Sequence, residues 1–308
     1  MDEQRKRRLS VIICSRNRVA TLKNCLRAIS SEEMEKAGGE LILVNNGSTD
    51  QTEQVMRHFR ESSPFPVEVV NEPTRGLGRA KTSGLARAAG ETIIFTDDDC
   101  YLAGGYLIRA STVFASGTFD YCGGRILLYD ETDSRYGCNQ QEELRIIPPF
   151  SFIGAGEIQG ANMVVHRRVV DKIGGFDSML GAGTPFRCED IEFCARASMA
   201  GFAGAHVPDL VVYHHHGRKP GPDIQMLADM GDYARGAYYM KFLLRGNLTY
   251  LRNWMRLSLI PGTRHMAVRE MRGAMAYLFA RARNAQGLGE GRWVSKMSTE
   301  ANAGLKLS

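Results

Sequence analysis

Asp97-Asp98-Asp99 follows directly on an apolar run, Thr92 to Thr96 (TIIFT). Three adjacent carboxylates repel one another, and a cation relieves that repulsion. A hard divalent ion, Mg²⁺ or Mn²⁺, takes one or two carboxylates together with phosphate oxygens, so the run suits a nucleotide-diphosphate ligand. The plain alternative is a solvated acidic loop. The position straight after a buried-looking run favours the metal. A second carboxylate pair, Glu189-Asp190, stands where a helix is expected to begin. One of the two is suited to take a proton from an attacking hydroxyl. Helix capping and compensation of the helix dipole compete with that reading.

Three further groups could bind a ligand. Asn45-Asn46-Gly47-Ser48-Thr49-Asp50 follows an apolar run, Leu41–Val44. Short polar side chains at such a place can read a base or ribose by hydrogen bonds, or simply form a turn and helix cap. Arg75-Gly76-Leu77-Gly78-Arg79-Ala80-Lys81 brings glycines and three cations to a helix start, a setting for phosphate. His214-His215-His216 ends an apolar run. On a strand, His214 and His216 point one way and His215 the other, and any of them could ligate metal or touch phosphate.

The elements that must position these residues alternate. Leu9–Cys14, Leu41–Val44, Val67–Val70 and Thr92–Thr96 read as buried strands. Between them, Ala20–Ser30, a segment opened by Asp50 with Glu53 in capping-box spacing, and residues 78–89 ending at Gly90 read as helices. This order predicts a parallel sheet with helices on both faces and ligands at the carboxyl ends of its strands. Tyr106–Phe114 and Asp190–Ala200 are expected helices, and Tyr121–Leu128, Asn162–His166 and Val207–Tyr213 are expected strands. From about residue 224 to 284 the pattern is helical, and 286–308 is expected to be loose.

Composition bounds the function classes. The chain has 308 residues, 44% hydrophobic and 24% charged, an ordinary globular balance. Residues 1–234 hold 26 Lys/Arg and 31 Asp/Glu, and residues 235–308 hold 13 and 3, which together give the net +5. An acidic body thus carries a basic tail, suited to an anionic membrane surface, to nucleic acid or to an acidic face of the same protein. The acidic body and the lack of a recognised motif argue against nucleic acid. Seven scattered cysteines without a CxxC pair point to reduced thiols in a cytoplasmic compartment. The apolar run after the basic Met1–Arg8 is too short for a signal peptide, and no stretch reaches membrane-spanning length.

Taken in order, SVIICSRNR, LILVNNGSTD, EPTRGLGRAKTSGLARAAGETIIFTDDDC, GANMVVHRRVVDKIGGFD and CEDIEFCARASMAGF resemble the family 2 glycosyltransferases of GT-A fold, over roughly residues 9–216. The resemblance implies an α/β fold, with a mixed, mostly parallel sheet flanked by helices and a C-terminal helical extension. It implies a catalytic domain over 9–222, with a nucleotide-binding half (9–99) and an acceptor-side half (100–222), and the helical, basic pattern after it reads as an extension over 223–285. It also implies an inverting transfer of one sugar from a UDP-, dTDP- or GDP-sugar, with Mg²⁺ or Mn²⁺, to a glycan, glycolipid or small-molecule hydroxyl.

Residue by residue, Asp97-Asp98-Asp99 looks like the family's DxD element, with Asp97 and Asp98 toward the donor and Asp97 and Asp99 on the metal. Asp190, beside Glu189, matches the general base of the ED element. Cys14 and Arg18 fall where the first loop meets base and ribose, and Arg75 to Arg79 would lie near the nucleotide. His214 corresponds to a position that in some relatives ligates the metal or contacts the diphosphate. Asn46 stands where the family usually places an aspartate against a base N–H. The QxxRW element of processive members is absent, since Arg292-Trp293 follows Gly289-Glu290-Gly291, and this favours single addition.

Other classes fit less well. A nucleotidyltransferase calls for a Gly-rich basic signature after the first strand, where SRNRVAT stands. A non-catalytic sugar-nucleotide or glycan-binding module is expected to have lost Asp97, Asp99 or Asp190. The tail interleaves Tyr238, Tyr239, Phe242, Tyr250 and Trp254 with Lys241, Arg245, Arg252 and Arg256, and residues 266–283 repeat the style with Met271, Met275, Leu278 and Phe279 beside Arg269, Arg272, Arg281 and Arg283. Cationic amphipathic helices of this kind suit a peripheral place on the inner face of a membrane, or packing on the catalytic domain.

Overall fold

The computed structural model describes residues 9–259 and 263–285; the segment expected to be loose, 286–308, lies outside them. The chain separates into two compact units. Residues 9–183 and 189–226 make the first, and 184–188 with the described residues from 227 onward make the second.

The first unit is built on one nine-stranded sheet. Its nucleotide-side half runs β1 (Leu9–Ser15), α1 (Val19–Arg27), α2 (Ser31–Lys36), β2 (Gly39–Asn45), α3 (Thr52–Ser62), β3 (Val67–Asn71), α4 (Leu77–Leu85) and β4 (Thr92–Asp97). Strands β3, β2, β1 and β4 lie side by side, all parallel. β1, β2 and β4 are buried along almost their whole length, and their middles are apolar because helices cover both faces. Leu9, Val11, Ile13, Leu41, Leu43 and Ile94 share one core with Leu22 and Leu26 of α1 and Met56 of α3. Ile12 and Val44 point the other way and meet α4, where Gly84 permits the approach: a Cβ there would lie 2.6 Å from Ile12 Cγ2.

The second half adds β5 (Cys100–Leu102), α5 (Tyr106–Thr112), β6 (Tyr121–Leu128), β7 (Arg145–Ile147), β8 (Met163–His166), α6 (Arg167–Ile173), α7 (Glu189–Met199) and β9 (Gly204–His214). The sheet continues from β4 through β8, β6 and β9 to β5, and β7 pairs with β9. β8 is antiparallel to both β4 and β6, so the parallel half meets a mixed half at β4. Asn162, fully buried just before β8, knits that half together. Its Nδ2 donates to Arg125 O (2.9 Å) and Leu210 O (2.8 Å), and its Oδ1 accepts from Tyr106 OH (2.6 Å).

Several expected boundaries move, each for a physical reason. The first helix stops at Arg27, and a separate helix begins after Ser30, whose Oγ accepts from Glu33 N at 3.2 Å. The cap expected between Asp50 and Glu53 does not form. Asp50 Oδ1 accepts from Thr52 N instead, and Glu53 is taken by Asn45, Asn71 and Arg57. α4 ends at Leu85, short of Gly90, which is glycine because a Cβ would sit 2.6 Å from the Leu9 and Ser10 backbone. The short strands β5 and β7 and the helix α6 carry too few residues for a readable period.

The second unit contains most of α8 (Pro222–Leu243), with α9 (Leu248–Ser258) and α10 (Arg264–Ala285). Phe242 stacks on Tyr250 with ring centroids 4.2 Å apart. Trp254 Nε1 donates to the buried Glu270, which also accepts from Arg235 at 2.9 Å. Gly236 and Gly273 let the helices touch: a Cβ at either would fall within 2 Å of the facing carbonyl oxygen, Glu270 O or Tyr233 O.

Candidate active site

β4 ends in Asp97, and the chain turns through Asp98 and Asp99 into β5. Parallel pairing sets Cys14 of β1 opposite Asp97, so Ser15 and the loop after it reach the aspartates. Ser15 Oγ donates to Asp98 Oδ2 at 2.5 Å. Arg18 forks over two carboxylates, with Nη1 3.2 Å from Asp98 Oδ1 and Nη2 2.7 Å from Asp99 Oδ2. On the far side β9 delivers His214, paired with Cys100 of β5, and its Nε2 lies 3.2 Å from Asp99 Oδ1. The His215 N–H donates to Asp99 O and locks the two segments together.

The three aspartates are not equivalent. Burial pushes Asp98 up to about 7, against the pull of Arg18 and Ser15. Burial also opposes ionisation of Asp99, yet His214 and Arg18 hold it well below the ordinary carboxylate range. Asp97 is raised by burial, and Lys81 works against the shift.

A second cluster lies at the start of α7. Lys81, on α4, is buried and places Nζ 2.9 Å from Glu189 Oε1. Burial disfavours its charge, but Glu189, Asp97 and Asp190 together raise its pKa. Asp190 is held by backbone: its Oδ2 accepts from Gly160 N (2.9 Å) and its Oδ1 from Ile191 N (2.8 Å). Burial, then the charge of Glu189, lift Asp190 to about 6, with Lys81 opposing. The turn that offers Gly160 is itself fixed, since Thr96 of β4 donates to Ala161 O at 2.9 Å. α7 is anchored further along by Glu192, which takes Arg196, whose guanidinium also reaches Ile173 O and Gly175 O.

The sequence-predicted residues fall into two groups. Asp97, Asp98, Asp99, Arg18 and His214 meet at the end of β4, and Glu189 and Asp190 join them through Lys81, whose charge reaches Asp97. Cys14 faces the same carboxylates, and burial pushes its thiol up to about 12. Asn46, Arg75 and Arg79 sit apart, at the end of β2 and the entry to α4. Asn46 Nδ2 donates to Glu72 O (3.1 Å) and Thr74 O (2.7 Å), and its Oδ1 accepts from Gly76 N (2.9 Å). Arg75 is exposed just before the Gly76 cap of α4, and Arg79 is half-buried in its first turn. Sequence reasoning missed Ser15 and the N–H of Gly160, and it read Lys81 as a phosphate contact. The neighbouring of β1 and β4 was the available signal for Ser15.

Asp97, Asp99, Cys100 and His214 bring one ligand atom each to within 4.8 Å of the others. His214 Nδ1 is buried with no hydrogen-bond partner among the described residues. Two carboxylates and an imidazole are the oxygen and nitrogen donors of this group, beside the Cys100 thiol, which burial raises well above its usual range. Five carboxylates here meet two permanent cations, Arg18 and Lys81. That excess of negative charge and the donor types fit a divalent ion.

The sequence model of glycosyl transferase family 2 matches residues 10–174, more than half of the chain. The chain belongs to glycosyl transferase family 2. Within the family it is similar to glycosyltransferase AglE of Haloferax volcanii, 23% identical over 206 residues, covering 67% of this chain and 66% of AglE. The chain therefore spans slightly less than two-thirds of that relative's length. Its architecture is the GT-A fold. The mannosyltransferase PcManGT from Pyrobaculum calidifontis, solved with GDP-Man and Mn²⁺, aligns with 100% of this chain and 82% of its own at TM-score 0.59 and 19% identity. The structure of Staphylococcus aureus TarS 1-349 aligns with 92% of this chain and 83% of its own at TM-score 0.54 and 16% identity.

Proposed function

We propose that this family 2 member transfers one sugar from a nucleotide-diphosphate sugar to an acceptor hydroxyl, with a divalent metal and with inversion at the anomeric carbon. The observation that carries the reading is the division of labour among the five carboxylates. Asp98 and Asp99 are engaged by Arg18 and His214, and Glu189 by Lys81. Asp190 is held by two backbone N–H groups, which leaves carboxylate lone pairs for a proton.

In this reading Asp97, Asp99 and His214 would hold Mn²⁺ or Mg²⁺. Bound there, the ion would neutralise charge that develops on the leaving diphosphate. Asp190 accepts the proton of the acceptor hydroxyl as its oxygen bonds to the anomeric carbon and the bond to the diphosphate oxygen breaks. Lys81 and Glu189 keep the first turn of α7 in place beside the aspartate run. In this reading Arg75, Arg79 and Asn46 would meet the donor nucleotide. The solved neighbours bound to GDP-Man and to UDP-GlcNAc support a nucleotide-sugar donor.

The test is a screen of UDP-, dTDP- and GDP-sugars for nucleotide release with Mn²⁺ or Mg²⁺. Proton NMR of the product then reads the anomeric configuration. Release by one donor class with inverted product is expected. Retained configuration overturns the mechanism, and absence of both release and any nucleotide-induced thermal shift overturns the donor assignment.

A further inference from the structure

α9 and α10 each carry apolar side chains on two opposite faces. On the inner face Tyr250 and Trp254 of α9 and Tyr277 of α10 are buried in the second unit. The aromatic residues that made the tail look amphipathic in sequence, Tyr238, Tyr239, Phe242, Tyr250 and Trp254, are this unit's core. A different set faces outward. Met255 is 54% and Leu259 81% exposed on the α9 side, and Val268, Met271, Met275 and Phe279 are 61%, 53%, 41% and 62% exposed along α10. At 3.6 residues per turn the four on α10 fall within an arc of about 80°. A surface helix ordinarily turns polar residues outward.

Arginines flank these outward faces. Arg252, Arg256, Arg264 and Arg272 are all exposed. Glu270 is the one acidic residue between 233 and 285, and it is withdrawn into the core on Arg235 and Trp254. An outward face of large apolar side chains and arginines, with no carboxylate, needs a partner that is both apolar and anionic.

We infer that the outward faces of α9 and α10 dock on an anionic lipid bilayer. A bilayer supplies the two things this face lacks. Acyl chains take up the methionines, Phe279 and Leu259, and headgroup phosphates meet the exposed arginines of the same helices. A second copy of this chain is the less suitable occupant, because self-pairing would set arginine against arginine. The docking surface goes beyond the transfer reaction. It concerns where the enzyme works, and it would place the second unit beside membrane-held acceptors.

Flotation of the full chain with vesicles tests this. Phosphatidylcholine vesicles are compared with vesicles containing about one-third phosphatidylglycerol, at low and high salt. Wild type is expected to float with the anionic vesicles about tenfold more than with neutral ones, and less so at high salt. Met275→Glu with Phe279→Glu, and separately Arg256→Ser with Arg272→Ser, are each expected to cut the bound fraction by about tenfold. Melting temperature and vesicle-free nucleotide release, read on the same samples, report on folding and on the transfer reaction separately. Wild type left in the soluble fraction overturns the inference, as does either double variant floating like wild type. Light scattering that shows a dimer split by the Met275/Phe279 change, with no vesicle binding, assigns the face to self-association instead.

Discussion

Lys81 Nζ lies 2.9 Å from Glu189 Oε1, and both side chains are buried. The pair joins the second turn of α4 to the first turn of α7 across 108 residues of sequence. A buried pair is strongly destabilised when one partner is removed, because the other charge stays buried. Lys81→Met is therefore expected to lower stability by about 3–5 kcal/mol in urea unfolding at pH 7. Adding Glu189→Gln to that variant should recover part of the loss. Equal stability of wild type and Lys81→Met would mean that Glu189 has found water or another donor.

Asp190 is expected to set the acidic limb of the rate profile. Burial and then Glu189 raise its pKa to about 6. A base must be ionised to accept a proton, so kcat should fall as pH drops through that value and level off above it. Losing the Lys81 charge, which opposes the rise, moves the limb of Lys81→Met to higher pH. Asp190→Asn should lower kcat by about 10²–10⁴ and remove the limb, with nucleotide affinity retained in calorimetry. An Asp190→Asn enzyme of wild-type turnover would take this residue out of the reaction.

The metal site proposed at the end of β4 makes its own prediction. Asp99→Ala should abolish the part of nucleotide affinity that depends on Mn²⁺, read by calorimetry with and without chelator. His214→Ala should weaken Mn²⁺ affinity by at least the 10–100-fold typical of losing even an outer-shell partner. Arg18 keeps its contact with Asp98 in the Asp99 variant, at 3.2 Å. The loop is thus expected to stay folded. Unchanged Mn²⁺ dependence in both variants would remove the ion from this place.

Strands β1, β2 and β4 were legible because each is a buried, mainly apolar run, and β3, half-buried with Glu68 in it, still carries three valines. The aspartate run was legible for the same reason, since a strand end is a fixed place. What could not be read is every partner brought in from far away. Lys81 looks like a third cation beside Arg75 and Arg79, and only the approach of α7 turns it toward Glu189. Ser30 with Glu33 and Asp50 with Glu53 have the same spacing, yet only the first forms the Ser30–Glu33 cap. Glu53 is drawn off by Asn45 and Asn71, residues on two strands. Met271, Met275 and Phe279 were legible as part of an apolar, basic helix, but that α10 buries the other side, at Gly273, Ala274 and Tyr277, was not.

Asn46 offers the sharpest separation of binding from chemistry. Its amide donates to the carbonyls of Glu72 and Thr74 and accepts from Gly76 N, so it holds the loop that leads to Arg75 and α4. Gly47 beside it leaves no room for a side chain, since a Cβ would lie 2.8 Å from Pro73 O. Aspartate at 46 would keep the bond from Gly76 but set a carboxylate oxygen against two carbonyl oxygens. Each of those lost bonds leaves an acceptor facing an acceptor, at about 1–3 kcal/mol. Asn46→Asp is therefore expected to loosen the 72–76 loop, raise the donor KM about tenfold or more, and change kcat little, because Asp190 and the aspartate run are untouched. A fall in kcat with KM unchanged would mean that the loop positions the reacting groups and not the nucleotide. Unchanged unfolding and unchanged KM would mean that the packing of Gly47 on Pro73 holds the loop without the amide.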